Sequence, residues 1–243
     1  MQSNPWDILG KNTFNTQVST EEIDSRAADN VLIAWSPILE LLQNRFPATK
    51  GIKILDFGCG VGGFCNKLNN LGFEVTGLDS SRGMIDSAKK HSSITIKYIL
   101  GDQLSIPLST SFDAIVSIMT FPFIKNIGET FQILTKTLSQ NGLFIIAVFN
   151  PEWVKACLQR HVSFTDFDSV NNPKVGLKTF GDLKTPVYIR SASVYIKLAA
   201  NEDLQIILET YPPFTPDFIE KYPDNRPKHV SEFIILGFNK SRS

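Results

Sequence analysis

The sequence is poor in cysteine and histidine and carries no long run of charge of one sign. Its three cysteines, Cys59, Cys65 and Cys157, are too few and too scattered for a disulfide framework or a zinc site, so we expect no metal. The 24 Lys and Arg residues are balanced by 24 Asp and Glu residues. No basic run is long enough to neutralise a row of phosphates, which argues against a nucleic-acid partner.

Targeting signals and membrane-length apolar runs are also missing. The first ten residues contain neither a basic region nor an apolar region of the kind found in signal peptides. The longest strongly apolar run, residues 143–149, is far shorter than a membrane span and is typical of a buried strand. We therefore expect a cytoplasmic protein without a membrane partner. The sequence does not indicate an oligomeric state.

What the sequence does contain is an alternation of apolar strands and amphipathic helices. Because the strands are apolar on both faces, the pattern predicts a mostly parallel sheet with helices on both sides. Strands are predicted at residues 52–57, 73–78, 94–100, 114–118 and 143–149, with two more near 204–211 and 231–238. Helices are predicted from Ser19 or Thr20, at 38–45, from the glycine-rich turn to Leu71, at 81–91 and at 127–138. Residues 151–190 lack this alternation and are predicted to form an insertion that packs over one edge of the sheet.

The most informative motif is the glycine-rich turn ILDFGCGVGGF at residues 54–64, between the first strand and the next helix. Gly58 and Gly60 let the backbone turn sharply and approach a ligand closely. The same glycines also fit the dinucleotide fingerprint, so the turn by itself leaves the ligand open. Asp56 at the strand end disfavours a pyrophosphate and suits a ligand that carries an amino group.

Two further carboxylates follow the next two strands. Asp79 ends the second strand, about twenty residues after the turn, where a carboxylate can accept both hydroxyls of a ribose. Ser80 is the expected cap of the helix that follows. Gly101 and Asp102 follow the third strand, where Asp102 can accept from an adenine amino group and Leu104 or Met84 can sandwich the ring.

These residues resemble the class I S-adenosylmethionine-dependent methyltransferases, in particular the small-molecule, ubiE/UbiG-like type. The resemblance covers residues 50–150 and is carried by ILDFGCGVGGF, VTGLDSSRGMIDSAKK, the Gly101–Asp102 pair, FDAIVSIMTF and LSQNGLFIIAVFN. It implies a Rossmann-like α/β fold whose seven-stranded, mostly parallel sheet ends in an antiparallel strand. It also implies S-adenosyl-L-methionine as the cofactor and a small-molecule methyl acceptor.

The resemblance also implies residue roles and a division of the chain. Residues around the turn would hold the methionine portion, Asp79 the ribose, and Asp102 with Gln103 or Leu104 the adenine, with a backbone contact from Ser117 or Ile118. The full set expected to bind the cofactor is Asp56, Gly58, Cys59, Gly60, Asp79, Ser80, Met84, Gly101, Asp102, Gln103, Leu104 and Ser117. We expect one domain over residues 1–243: an N-terminal arm with helices at 1–49, a cofactor-binding core at 50–150, a substrate-side insertion at 151–200 and closing strands at 201–243.

The acceptor side is less well marked in the sequence. Trp6, Phe121, Phe123, Trp153 and Arg190 are candidates for the acceptor wall, and core packing is the alternative for the aromatic residues. His161 is a candidate catalytic group. The sequence indicates methyl transfer to an N or O nucleophile. The alternatives are a nicotinamide-dependent oxidoreductase and a non-catalytic module that binds S-adenosylmethionine.

Overall fold

The computed structural model describes residues 4–11, 27–168 and 174–240. The helix predicted to begin at Ser19 or Thr20 falls partly outside these ranges, and its predicted start cannot be compared with the structure. In the described ranges, no helix has the length and apolar character needed to cross a membrane.

Seven strands form the main sheet, in the order β3-β2-β1-β4-β5-β10-β9. The strand that comes last in the chain, β10, is antiparallel to both of its neighbours, and the other pairings from β3 to β5 are parallel. This confirms the predicted seven-stranded sheet with an antiparallel last strand. The strands are β1 (Lys53–Phe57), β2 (Glu74–Asp79), β3 (Lys97–Leu100), β4 (Phe112–Ile118), β5 (Leu138–Phe149), β6 (Phe164–Thr165), β7 (Lys174–Phe180), β8 (Leu183–Ile189), β9 (Leu204–Thr210) and β10 (Phe233–Lys240).

Helices cover both faces of this sheet because neighbouring residues of its strands point to opposite sides. In β1, Ile54 belongs to the apolar cluster on one face and Leu55 to the cluster on the other face. The helices are α1 (Pro5–Lys11), α2 (Trp35–Arg45), α3 (Gly63–Asn70), α4 (Arg82–His91), α5 (Ile127–Lys136), α6 (Pro151–Gln159), α7 (Ala192–Ala200) and α8 (Pro216–Lys221), with a π-helical turn at Asn30–Ala34 and 3-10 turns at Gln103–Ser105 and Phe121–Phe123.

Local sequence explains where several helices begin. Ser81 caps α4, because its Oγ accepts from the backbone N–H of Met84 at 3.1 Å, and Lys89, Lys90 and His91 occupy the last turn, where cations are favourable. The prediction that Ser80 is the cap was therefore wrong by one residue. Asn150 caps α6 in the same way and is followed by a proline at the first helical position.

Some predicted boundaries were wrong. The third strand was predicted to start at residue 94, but Ile94 is fully exposed and β3 begins at Lys97. The fifth strand begins at Leu138, not at residue 143, because Leu138 pairs with Phe112 of β4 across a register shift.

The insertion after β5 contains a second sheet. Helix α6 is followed by three antiparallel strands in the order β6-β7-β8. Residues 178–183 of this sheet line the same crevice as the ends of β1, β2 and β4. The insertion therefore covers the carboxyl end of the main sheet, whereas the sequence pattern led us to expect it over one edge.

Candidate active site

The candidate site is a crevice of about 1320 Å³ at the carboxyl ends of β1, β2 and β4. In the sheet order, β1 lies between β2 and β4, so the connections after β1 and after β4 leave in opposite directions. Ligands of open α/β sheets bind where the strand order reverses in this way. The volume leaves room for a ligand of cofactor size and a second small molecule.

The glycine-rich turn forms the floor of the crevice, and its geometry requires glycine at position 58. Gly58 has a φ of +79°, and a Cβ built there would lie 1.9 Å from Oγ1 of Thr120. The backbone N–H of Gly58 donates to the carbonyl of Leu78 at 2.7 Å, which fixes the turn against β2. Gly60 also has a positive φ, of +52°.

A pair of substitutions distinguishes the cost of the positive φ at Gly58 from the cost of the missing space for a Cβ. Gly51 has a φ of +81°, close to that of Gly58, but nothing lies within 4 Å of its Cβ position. We expect Gly51→Ala to lower the free energy of unfolding by about 1–2 kcal/mol, the usual cost of a left-handed backbone for an L-residue. Gly58→Ala should cost clearly more, because the new methyl group also displaces Thr120. Urea denaturation of both variants measures the difference, and equal losses would contradict the close approach at Gly58.

Asp79 links the glycine turn to the start of α4. Its Oδ2 accepts from the backbone N–H of Gly60 at 2.9 Å, and its Oδ1 accepts from the backbone N–H of Ser81 at 2.9 Å. Burial raises the pKa of the Asp79 carboxyl, and these two hydrogen bonds oppose that rise. Each oxygen keeps a lone pair for a second donor, as a ligand with two adjacent hydroxyls would supply.

Asp56 is a buried carboxyl without a cationic partner among the described residues. Its Oδ2 accepts from the Cys65 thiol at 3.1 Å. Burial raises the pKa of Asp56 to about 7, with a further upward contribution from Asp79, while the bond from Cys65 lowers it. Asp56 lines the crevice, so a cationic group of a ligand can supply the missing partner.

Most of the residues expected around the adenine line the crevice, but Leu104 does not. Met84, Gly101, Asp102 and Gln103 line the crevice. Leu104 is 67% exposed and does not line it, because the side chain of Asp102 caps the 3-10 turn there by accepting from the backbone N–H of Leu104 at 3.0 Å. Cys59 and Ser80 line the crevice as well.

Ser117 is not in the crevice lining. It is fully buried, and its Oγ donates to the carbonyl of Phe57 at 2.9 Å, so its side chain ties β4 to β1. The residues that follow it, Ile118, Met119 and Thr120, do line the crevice.

Helix α1 brings Trp6 into the crevice. The Trp6 ring packs edge-on against Phe123, at 4.8 Å between ring centroids, and against Phe180, at 5.4 Å. The helix is anchored by Asp7, whose Oδ1 accepts from the Ser81 hydroxyl at 2.7 Å and from the backbone N–H of Gly83 at 3.0 Å. These bonds hold the pKa of Asp7 below its usual value.

Two other aromatic candidates are core residues. Phe121 is fully buried and packs against the rings of Phe131 and Phe144. Trp153 is also fully buried, and its Nε1 donates to the carbonyl of Pro227 at 3.0 Å. Neither residue lines the crevice, so the acceptor-wall assignments of Phe121 and Trp153 were wrong.

The two polar candidates lie outside the crevice as well. The Arg190 guanidinium is buried and donates to the carbonyls of Phe121, Ile124 and Lys125, at 3.3, 2.9 and 2.8 Å. These three hydrogen bonds compensate for burial of the cation, so the role of Arg190 is structural. His161 is exposed just after α6, with a φ of 54°, and does not line the crevice.

The structure adds residues that the sequence analysis missed. Lys178, Phe180, Asp29, Arg226 and Glu232 all line the crevice. A signal for the first two was present: an alternating segment, KVGLKTF, is followed by the two-residue Gly181–Asp182 turn and a second strand, which is typical of a hairpin. Across residues 4–11, 27–168 and 174–240, no group of three His, Cys, Asp or Glu side chains is placed to hold a metal ion.

Comparison with known families agrees with this geometry. Residues 55–146 match the family described as a methyltransferase domain. This region is a class I S-adenosylmethionine-dependent methyltransferase domain. It contains β1, the glycine turn, Asp79 and the Gly101–Asp102 pair.

Curated relatives resemble the methyltransferase domain over part of their length. A ubiquinone biosynthesis O-methyltransferase of Bradyrhizobium diazoefficiens is 30% identical over 106 residues, which are 42% of this chain and 42% of the relative. An uncharacterized methyltransferase of Bacillus subtilis is 28% identical over 156 residues, 61% of each chain. The chain thus spans about half the length of these relatives.

Solved structures share the fold beyond the methyltransferase domain. An S-adenosylmethionine-dependent methyltransferase from Mesorhizobium loti superposes with a TM-score of 0.64 at 18% sequence identity, covering 89% of this chain and 100% of the other. At this identity the likeness concerns the fold alone.

Proposed function

We propose that the protein transfers the methyl group of S-adenosylmethionine to an N or O nucleophile of a small-molecule acceptor. The observation that carries this proposal is the meeting of Asp56, Asp79 and the glycine turn in one crevice of a methyltransferase domain. The relatedness to an O-methyltransferase supports a small-molecule acceptor.

The residues present fit this cofactor. Asp56 is a buried carboxyl that lacks a cation, and the amino group of the methionine portion supplies one. Asp79 would accept hydrogen bonds from the two ribose hydroxyls, and Asp102, Gln103 and Met84 would surround the adenine. The nearly open Cβ position of Gly60 leaves space along the backbone for the methionine portion, while Gly58 lets Thr120 pack against the turn.

When bound, the sulfonium would supply an activated methyl group whose leaving group is a neutral thioether. Because no charged leaving group needs stabilisation, the chain has to align the acceptor with the methyl group and exclude water. The aromatic wall formed by Trp6, Phe123, Phe149 and Phe180, all of which line the crevice, provides such a dry surface. A hydroxyl acceptor additionally needs a base, whereas a neutral amine does not.

The main alternative is a nicotinamide-dependent oxidoreductase that uses the same glycine turn. Its pyrophosphate would have to lie beside the carboxyl of Asp56, which disfavours an anion. Isothermal titration calorimetry with S-adenosylhomocysteine and with NADH distinguishes the two. We expect binding of S-adenosylhomocysteine at about 10 μM or tighter and no heat with NADH; the reverse result would contradict the proposal.

Methyl transfer itself is tested with methyl-labelled S-adenosylmethionine and a pool of small metabolites. We expect label to appear in a low-mass product that is absent without the protein. Binding of S-adenosylhomocysteine without any labelled product would instead indicate a non-catalytic module.

Trp6 provides a test of the acceptor wall. We expect Trp6→Ala to leave the affinity for S-adenosylhomocysteine within about twofold and to raise the KM for the acceptor roughly tenfold, because an aromatic contact surface is lost. Trp6→Phe keeps a ring and should have a smaller effect. Tyr211→Ala, at an exposed aromatic residue outside the crevice, is the control. An unchanged acceptor KM in Trp6→Ala would remove Trp6 from the acceptor site.

A further inference from the structure

Four charged residues meet in the crevice on the side of the inserted sheet. We call Lys178, Glu232, Asp29 and Arg226 the charged cluster; all four line the crevice. Arg226 holds it together: its guanidinium is bonded to Asp29 and, at 2.7 Å, to Asp224, which also pairs with Lys228. The charges of Asp29 and Arg226 are therefore paired with each other. The pairing of Lys178 and Glu232 is less complete.

Lys178 lies on β7 between two aromatic rings. Its Nζ is 5.0 Å from the ring centroid of Phe164 and 5.1 Å from that of Phe180. Its hydrogen bond is a long one, 3.5 Å to the carbonyl of Thr179, and no carboxylate among the described residues forms an ion pair with it. Burial lowers the pKa of this amine, Arg226 adds to the lowering, and Glu232, Asp29 and the Cys157 thiol oppose it.

Glu232 precedes β10 and is 5% exposed. Its Oε2 is buried and has no hydrogen-bond partner among the described residues. The Arg226 Nη1 lies 3.6 Å away but is already engaged by Asp29. Burial raises the pKa of Glu232, with a further rise from Asp29, while Arg226 and Lys178 act in the opposite direction. A buried carboxyl oxygen that lacks a hydrogen bond, in a ligand-sized crevice, points to a polar group of a ligand.

We propose that Lys178 and Glu232 together bind and deprotonate a hydroxyl group of an aromatic acceptor. This inference rests on the proposed methyl transfer and specifies its acceptor and its base. An acceptor hydroxyl placed between the two side chains accepts from the amine and donates to Oε2 of Glu232, and so satisfies both. In the aromatic wall, Phe180 lies beside Lys178 and Trp6 packs against Phe180, and this surface fits a planar ring that carries the hydroxyl.

The proton balance requires Lys178 as an ammonium and Glu232 as a carboxylate. The carboxylate of Glu232 takes the hydroxyl proton, and the ammonium of Lys178 stabilises the negative charge that develops on the acceptor oxygen. The acceptor oxygen forms a bond to the methyl carbon as the bond from that carbon to sulfur breaks. The hydroxyl proton moves to Oε2 of Glu232, and S-adenosylhomocysteine leaves as a neutral thioether.

Phenols of different acidity test this role in the intact 243-residue chain. The probes are phenol, the more acidic 4-nitrophenol, and aniline, each with S-adenosylmethionine. The variants are Lys178→Met and Glu232→Gln. Their controls are Lys184→Met and Glu220→Gln, at exposed residues outside the crevice. Calorimetry with S-adenosylhomocysteine establishes that every variant is folded and binds the cofactor.

We expect the wild type to methylate both phenols on oxygen. Loss of the carboxylate base in Glu232→Gln, or of the ammonium that stabilises the phenolate in Lys178→Met, should lower kcat/KM for phenol roughly 100-fold. For 4-nitrophenol the loss should be less than about tenfold, because an acidic phenol loses its proton without help. The controls should retain wild-type activity. Equal losses on the two phenols, or no loss, overturn the inference.

Failure of this inference is distinguishable from failure of the proposed function. A wild type that binds S-adenosylhomocysteine but methylates neither phenol, or methylates only aniline, contradicts the role of Lys178 and Glu232 and leaves cofactor binding intact. A wild type that does not bind S-adenosylhomocysteine contradicts the proposed function itself.

Discussion

Replacing Asp79 with asparagine is expected to weaken S-adenosylhomocysteine binding by at least roughly 100-fold, because two charge-assisted hydrogen bonds to the ribose are lost. The structure explains why the amide cannot substitute. Both Asp79 oxygens already accept from backbone N–H groups, of Gly60 and Ser81. An asparagine would direct an NH₂ group toward one of these donors, which disturbs the turn as well as the ribose contact.

The control for Asp79→Asn is Asp86→Asn. Asp86 lies on the adjoining helix α4, is exposed, and does not line the crevice. Calorimetry should show near-wild-type affinity for Asp86→Asn, and circular dichroism should show that both variants are folded. A folded Asp79→Asn protein with wild-type affinity would contradict the assignment of Asp79 to the ribose.

Cofactor affinity should also depend on pH through Asp56. In the ligand-free protein burial raises the pKa of this carboxyl to about 7, so below that pH it is largely protonated. The amino group of the ligand binds the ionised form, and binding therefore releases a proton. Affinity should rise with pH, by roughly tenfold per unit below the pKa, and become constant above about pH 7.

Calorimetry in buffers of different ionisation enthalpy measures this proton release directly. Near pH 6 we expect release of close to one proton in the wild type. Asp56→Asn should bind more weakly and lose most of the pH dependence. Any dependence that remains belongs to Asp79, whose pKa is also raised by burial. An affinity that stays constant across this range in the wild type would show that Asp56 does not meet a cationic group.

The sheet and the glycine turn could be predicted because their signals are local. Apolar strands, a glycine-rich turn and a carboxylate at a strand end each occupy a few neighbouring residues. Parallel strands then bring Asp56 and Asp79 to the same edge of the sheet without further information. Strand ends were less predictable: Leu138 joins β5 through its pairing with Phe112, a partner that the local sequence does not reveal.

The acceptor side was harder to predict because its residues meet only through tertiary structure. Arg190 resembled a ligand-binding residue, but its partners are carbonyl groups of a distant turn, Phe121, Ile124 and Lys125. Conversely, Asp29 and Arg226 lie 197 positions apart in the chain and pair in the crevice. Both sets of contacts join residues that are far apart in the sequence, so no local sequence pattern predicts them.

A crystal structure of the protein with S-adenosylhomocysteine would show where the adenosyl ligand lies. We expect it in the crevice, with its ribose hydroxyls within hydrogen-bond distance of the Asp79 carboxylate and its amino group next to Asp56. Electron density for the ligand elsewhere, or in this crevice with the ribose away from Asp79, would contradict this expectation.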